Sequence, residues 1–468
     1  MTEATTAHPR RLIINAFLSG AASHLSPGQW RNPEDRGNTG FVDLAYWSDL
    51  ARTVENAKFD AIFFADSLGV PDSVGGTPDY ALRHASQTPN IDPLPVVAAL
   101  IGQTSRLGFG LTASTTYERP FSLARRFTAL DHLSGGRIGW NIVTSILDSA
   151  AKNFGLDKQI PHDERYDRGQ DFLDATYKLW EGSWEDGALV RDVDSEMFVD
   201  PSKVHRINHE GKYFHVAGPL SSPPSDQRTP VLFQAGASPR GVRFAAENAE
   251  VVFTNGDTDG RVRTLVANTR AHAASAGRDP GSLKFVMPLA VITGSTDAEA
   301  REKYQYVRNY ASETTAVAML SGWTGHDWTH HDLDAPIVEV ATDAQRSILP
   351  GLAGAHGEPP KTLREAARNI ALGGRRGLVV GGPASTAREL VGIANRTGVD
   401  GFNLFHITSP GTYKDFADHV IPVLQEQGHV WPDYPSGTLR ERLMGTGSSR
   451  IAPDHRARRL AQSVVTSR

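Results

Sequence analysis

Apolar residues along this chain gather into short continuous runs separated by segments with helical periodicity. The runs are Leu12–Leu18, Ala61–Ala65, Leu107–Ala113, Arg137–Val143, Val231–Ala235, Val251–Thr254, Leu283–Val291 and Phe402–His406. Runs this short and this continuously apolar are what parallel strands buried on both faces require. Between them the periodicity predicts helices over Phe41–Lys58, Pro93–Thr104, Ser122–Leu133, Ser238–Asn248, Arg261–Ala276 and Asp297–Ser312. Leu133-Ser134-Gly135-Gly136 closes one of these helices, with glycine where the chain turns left-handed before the next strand. Eight strands with intervening helices predict a (β/α)8 barrel, with an open doubly wound sheet as the alternative.

Four regions exceed a minimal barrel: insertions near 67–91, 145–165, 192–228 and 314–382. The first two directly follow strands, on the side where barrels build their sites. The fourth follows a predicted helix, which leaves its placement open. Long loops of this kind serve as lids and binding walls. The predicted organisation is a flexible N-terminus (1–10), a single barrel (11–445) and a basic, Ser- and Arg-rich tail (446–468). That tail reads as poorly ordered; docking to a partner subunit is the other reading.

Composition narrows the chemistry. The 468 residues include no cysteine, which excludes thiolate catalysis, thiolate metal sites and disulfides. A net charge of −5 gives no basic face for nucleic acid. The apolar stretch after the N-terminal arginines is short and broken by Asn15, so neither a signal peptide nor a membrane span is expected, and the chain reads as cytoplasmic. Gly108-Phe109-Gly110-Leu111-Thr112-Ala113 matches a dinucleotide-binding pattern, but its glycines fall inside a strand-like run instead of a strand-to-helix turn. No G-x-x-x-x-G-K-[ST] loop is present. His326-Asp327-Trp328-Thr329-His330-His331-Asp332 concentrates possible metal ligands, yet an exposed polar loop is the commoner explanation of such a segment, and no metal is expected.

Ala235-Gly236-Ala237-Ser238-Pro239-Arg240-Gly241 follows a strand and opens a helix, with Ser238 at the N-cap and Pro239 at the first helical position. Such a terminus is either an ordinary capped helix or an anion site where N–H groups converge on a phosphate. The helix dipole supplies only about 0.3–1 kcal/mol, so side chains would have to add affinity. His162 and Tyr166, four residues apart on one helix face, are candidates, although such a pair also serves structural ends.

Over roughly residues 10–445 the chain carries, in order, Trp30-Arg31, KFDAIFFADSLG, SLARRFTALDHLSGGRIGWNIVTS, HDERYDRGQDFL, AGASPRGVRFAAENAEVVFTN, DGFNLFHITSPGTYKDFADHVIPVLQEQG and TLRERL. Taken together, these motifs resemble the nitrilotriacetate, pristinamycin and dibenzothiophene-sulfone monooxygenases, a branch of the bacterial-luciferase-like superfamily. The resemblance implies a barrel that binds FMN at the C-terminal ends of its strands. By motif, Asp66 and Thr112 would touch the flavin ring region, Asn141 and Thr144 would lie close to the isoalloxazine, and His162, Tyr166 and Ser238 would hold the phosphate. It also implies FMNH2 supplied by a separate NAD(P)H-dependent flavin reductase, O2 as co-substrate, a C4a-peroxide or hydroperoxide as oxidant, and a homo-dimer or tetramer. A deazaflavin-dependent oxidoreductase of the same superfamily and a non-catalytic flavin-binding protein are the competing readings. Many members carry a His before a Thr-Gly pair in the long insertion, where this chain has Trp323-Thr324-Gly325-His326. His326, His24 and Asn141 are therefore the catalytic candidates. Trp323 points to a small aromatic or heterocyclic substrate.

Overall fold

The computed structural model describes residues 10–254, 256, 258–354, 359–373 and 377–466. Eight parallel strands close into a ring: β1 (Ile13–Ser19), β2 (Ala61–Ala65), β3 (Gly108–Ser114), β4 (Ile138–Val143), β5 (Val231–Ala235), β6 (Val251–Phe253), β7 (Lys284–Thr293) and β8 (Gly401–Phe405). Each pairs with its sequence neighbours, and β8 pairs with β1 in the register Ile13–Gly401 to Phe17–Phe405. The barrel is the predicted one, and each of the eight apolar runs supplies one strand.

Alternation along the strands divides the core in two. Inward positions place Phe17, Phe63, Phe233 and Phe253 together in the barrel, with ring centroids 5.2–6.0 Å apart and edge-on or tilted contacts. Outward positions such as Ile14, Ile62, Phe109 and Leu232 pack under the surrounding helices. Helix Leu439–Met444 plugs the base with Leu439 and Leu443. A Cβ on Gly108 would stand 2.6 Å from the Leu439 side chain and 2.8 Å from the Asp60 carbonyl. The glycines of the 108–113 motif therefore serve packing inside β3, not a phosphate turn.

The four insertions fall on different ends. Those near 67–91 and 145–165 rise from β2 and β4 on the C-terminal side. The third, between the helix after β4 and the start of β5, folds into two small hairpins (Leu189–Asp192 with Met197–Val199, and His209–Glu210 with His215–Val216). The fourth belongs to the connection after β7, since the barrel helix of that unit is Pro383–Thr397, not the expected Asp297–Ser312. The helix observed there ends at Arg308 and packs on an extension of β7. That extension, Ala290–Thr293, pairs with an extra strand, Leu378–Gly381.

The C-terminal reading is corrected. Residues 456–466 form a helix that buries Ala457, Ala461 and Val464. It lies on the π-helical turn Lys178–Gly182. Arginines of the tail meet acids there: Arg456 holds both oxygens of the half-buried Asp174 at 2.7 Å, and Arg458 and Arg450, which precedes the helix, each reach the buried Glu181 at 3.2 Å. The expected flexible N-terminus lies outside the described residues except for Arg10, which donates to the carbonyls of Ala394 and Gly398. Among the described residues no helix is long and apolar enough to cross a membrane.

Candidate active site

At the C-terminal ends of the strands a cavity of about 310 Å3 opens between the barrel rim and the insertions. Rim residues Ser19, Asp66, Thr144 and Ser238 line it, with His162 and Tyr166 at one end. The insertions add the apolar side chains of Leu68, Pro71, Ile146, Leu147, Met319 and Trp323, alongside polar ones such as Gln87, Asn90 and Ser145.

One end is built for an anion. Ser238 is extended (φ −71°, ψ 156°) and its hydroxyl accepts the Gly241 N–H at 3.1 Å, so the helix Pro239–Asn248 starts there. Tyr166, on the helix His162–Tyr177, shares a hydrogen bond with the Ser238 hydroxyl. A Cβ on Gly241 would approach the Tyr166 hydroxyl to 2.8 Å, and one on Gly236 would approach it to 3.1 Å. Glycine at 241 leaves room for the phenol over the helix N-terminus, and glycine at 236 spares it a tight contact. Burial raises the Tyr166 pKa, with Ser238 and nearby Arg165 and Arg240 opposing, so it remains a hydrogen-bond donor at neutral pH. Burial likewise lowers the His162 pKa; Arg346 and Arg165 push the same way against its hydrogen bond to Asp163.

The middle of the cavity holds Asp66, whose Oδ1 accepts from Ser67 N–H (2.8 Å) and Asn90 Nδ2 (3.3 Å). Burial raises its pKa to about 6, with Asp92 adding to the shift. Between pH 4 and 6 the folded state therefore holds a proton that the unfolded chain releases, and stability falls as pH rises through that window. We predict that Asp66→Asn, which keeps the Oδ1 acceptor, raises the urea midpoint at pH 7.5 and leaves it unchanged at pH 4. Equal changes at both pH values would sink this reading of the carboxyl.

The structure brings together five of the residues singled out from sequence: Asp66, Thr144, His162, Tyr166 and Ser238. Thr112 lines a smaller adjoining cavity of about 160 Å3, which shares Asp66, Ser67 and Asn90 with the first. Asn141 stands beside it, donating to Thr112 Oγ1 at 2.8 Å, while its own Oδ1 is buried without a partner among the described residues. His24 and His326 are not brought to the cavity wall. His24 is buried against Phe17, with ring centroids 4.6 Å apart. His326 bonds His331 Nε2 at 3.0 Å and packs on Trp328. The spacing of the His-rich segment thus serves its own loop, and among the described residues no three His, Asp or Glu side chains form a metal-binding group.

Sequence reasoning missed Arg165, Gln234 and Arg346, all on the cavity wall. Arg165 had a signal, one helical turn after His162 in the same motif; the other two had none. Ser19 Oγ and Gln234 Oε1 are buried without partners among the described residues, so polar atoms stand ready on the wall.

Comparison with known proteins decides the family. The model for luciferase-like monooxygenases matches residues 23–401. The chain belongs to the luciferase-like monooxygenase family. This luciferase-like monooxygenase is 43% identical to dimethyl-sulfide monooxygenase from Hyphomicrobium sulfonivorans, over 97% of this chain and 95% of that protein. It is 42% identical to the long-chain alkane monooxygenase of Geobacillus thermodenitrificans (strain NG80-2), covering 96% and 98%. Among solved structures, riboflavin lyase (RcaE), described with modified FMN and its substrate riboflavin, superposes with a TM-score of 0.89 at 37% identity, covering 96% of this chain and 99% of that one. The luciferase-like monooxygenase is thus an oxidoreductase, which sets aside the reading as a non-catalytic flavin-binding protein.

Proposed function

We propose that this luciferase-like monooxygenase uses FMNH2 from a separate NAD(P)H-dependent flavin reductase, together with O2, to oxygenate a small neutral organic substrate. The observation that carries the cofactor reading is the anion cradle of Gly236, Ser238, Gly241 and Tyr166 at the strand ends. The residues fit FMN. Ser238, Tyr166 and His162 would hold the phosphate, and Asp66, Thr144 and the Thr112–Asn141 pair would face the ring system. The orphaned oxygens of Ser19 and Gln234 offer further hydrogen bonds. When bound, reduced FMN supplies the two electrons that turn one oxygen atom of O2 into water while the other enters the substrate. The chain's task is to orient the reactants and keep water out, to which the apolar side chains of the insertions would contribute.

Trp323 supports the reading of the substrate class. Trp323 is fixed by a hydrogen bond from Nε1 to Gln87 Oε1 (3.0 Å), which ties the first insertion to the fourth. Leu68, Pro71, Ile146, Leu147 and Met319 join Trp323 among the lining side chains and supply apolar surface for a neutral organic substrate. Two relatives are named for neutral, apolar substrates, dimethyl sulfide and long-chain alkanes. An indole wall favours aromatic or heterocyclic compounds, and aryl sulfides and N-heterocycles are the first to test.

The test couples the protein to a flavin reductase with NADH and FMN under 18O2 and follows each candidate. We expect one 18O atom in the product and substrate-dependent oxygen uptake. If every substrate leaves only hydrogen peroxide, or if turnover requires reduced deazaflavin instead of FMNH2, the proposal fails.

A further inference from the structure

Segment 342–347 of the fourth insertion spans the cavity from its phosphate end to its substrate wall. At one end the Asp343 carboxylate accepts the backbone N–H of His162, and its carbonyl accepts Arg165 Nη2 at 2.7 Å. At the other, the Gln345 N–H donates to the Trp323 carbonyl at 3.0 Å and Thr342 Oγ1 to the Thr324 carbonyl at 2.6 Å. Ala344, Gln345, Arg346 and Ser347 all face the cavity.

Two guanidinium groups meet here under unequal constraint. Arg165 is 1% exposed; both its Nη atoms donate to carbonyls, those of Ile160 and Asp343, and its Nε has no partner among the described residues. It is a fixed strut between the helix His162–Tyr177 and the segment. Arg346 is 46% exposed and bonds within its own segment, to Asp343 Oδ1 (2.7 Å) and the Thr342 carbonyl (2.9 Å). An exposed pair three residues apart contributes little, so Arg346 can exchange it for a better partner. Its charge acts on both His162 and Arg165. Arg165 and Arg240 act on Tyr166 in the cradle, and Arg346 acts on His162, whose ring packs against Tyr166 with centroids 5.2 Å apart; Asp163 and Asp343 are each held by His162. A dianion in the cradle would relieve the mutual repulsion of these cations.

We propose that Arg346 is a phosphate ligand carried by segment 342–347, with Arg165 as the positioning residue that fixes the segment. This rests on the FMN reading above and deepens it. Phosphate binding would draw the segment onto the cradle, and the Gln345–Trp323 hydrogen bond would carry that closure to the substrate wall. The cofactor's phosphate would then help to assemble the compartment in which its ring works. Riboflavin, which lacks the phosphate, would bind without closing it.

The experiment compares wild type, Arg346→Gln and Arg346→Lys, whose exposed side chain can be changed without disturbing the core. Oxidised FMN and riboflavin are titrated by fluorescence quenching, and hydrogen exchange is followed across 342–347 with FMN, riboflavin or inorganic phosphate. We expect R346Q to bind FMN about tenfold more weakly, as loss of one charge-assisted hydrogen bond implies, to bind riboflavin unchanged, and to lose the FMN-induced protection of 342–347. R346K should recover part of both. Wild-type FMN affinity in R346Q, or protection of the segment by FMN that R346Q retains, would overturn the proposal. Wild-type protein that binds FMN no more tightly than riboflavin would remove the phosphate site itself, and with it the parent reading.

Discussion

A chain ending at Gly445 is expected to lose at least about 3 kcal/mol of stability, and to melt at least 5 °C lower or fail to accumulate as soluble protein. The reason is Glu181, whose side chain is 0% exposed in the π-helical turn. It is kept ionised, with a pKa below the ordinary range despite burial, by Arg450 first, then Thr229, Arg228 and Arg458. Truncation removes Arg450 and Arg458 together and leaves a buried carboxylate with Arg228 and the Thr229 hydroxyl. Stripping partners from a buried charge costs about 3–5 kcal/mol. The same cut uncovers the seats of Ala457, Ala461 and Val464 and frees Asp174 from Arg456. Thermal and urea denaturation of the shortened chain measure the loss. Glu181→Gln introduced into it should restore part of the stability, because the buried charge is gone. Wild-type melting of the shortened chain would show that the helix is ornamental.

Tyr166→Phe and Ser238→Ala are each expected to weaken FMN binding about tenfold, or roughly 1.4 kcal/mol. Each removes one hydroxyl from the cradle, and a hydrogen bond to a charged phosphate contributes about 1.5–3 kcal/mol. The two hydroxyls are bonded to each other, so their effects should not add, and the double variant should fall short of a hundredfold loss. Riboflavin affinity is the control and should not move. Ser238→Ala carries a second signature, a stability loss of about 1 kcal/mol, because the Gly241 N–H loses its cap. Unchanged FMN affinity in both single variants would remove the phosphate site.

The barrel was legible because each strand is apolar on both faces, inward to the phenylalanine cluster and outward to the helices. Burial of that kind leaves a continuous run that needs no partner to be recognised. Ser238 was legible for another reason, since cap, proline and glycine fall at fixed offsets. Arg346 had no such signature, because its position depends on an irregular segment folding back across the rim. The placement of the fourth insertion stayed open, and the barrel helix Pro383–Thr397 was missed, because Asp297–Arg308 has the caps and periodicity of a barrel helix while packing on the outlying part of β7. The tail misled through composition: arginines that read as solvated meet Asp174 and Glu181, acids far away in the chain. His24 and His326 were chosen for their chemistry, and packing against Phe17 and Trp328 decided their surroundings.

The short pairing of Ala290–Thr293 with Leu378–Gly381 has an evolutionary consequence. It pins the strands that flank the fourth insertion side by side, so closure of the barrel does not depend on the length of what lies between. A chain-closure cost that grows only slowly with length lets this segment be exchanged or extended at little expense to the scaffold. The wall bearing Trp323 is in that sense a cassette. Lineages that keep the rim and segment 342–347 could diverge in what they oxidise by rewriting the rest of that stretch, with the eight strands left untouched.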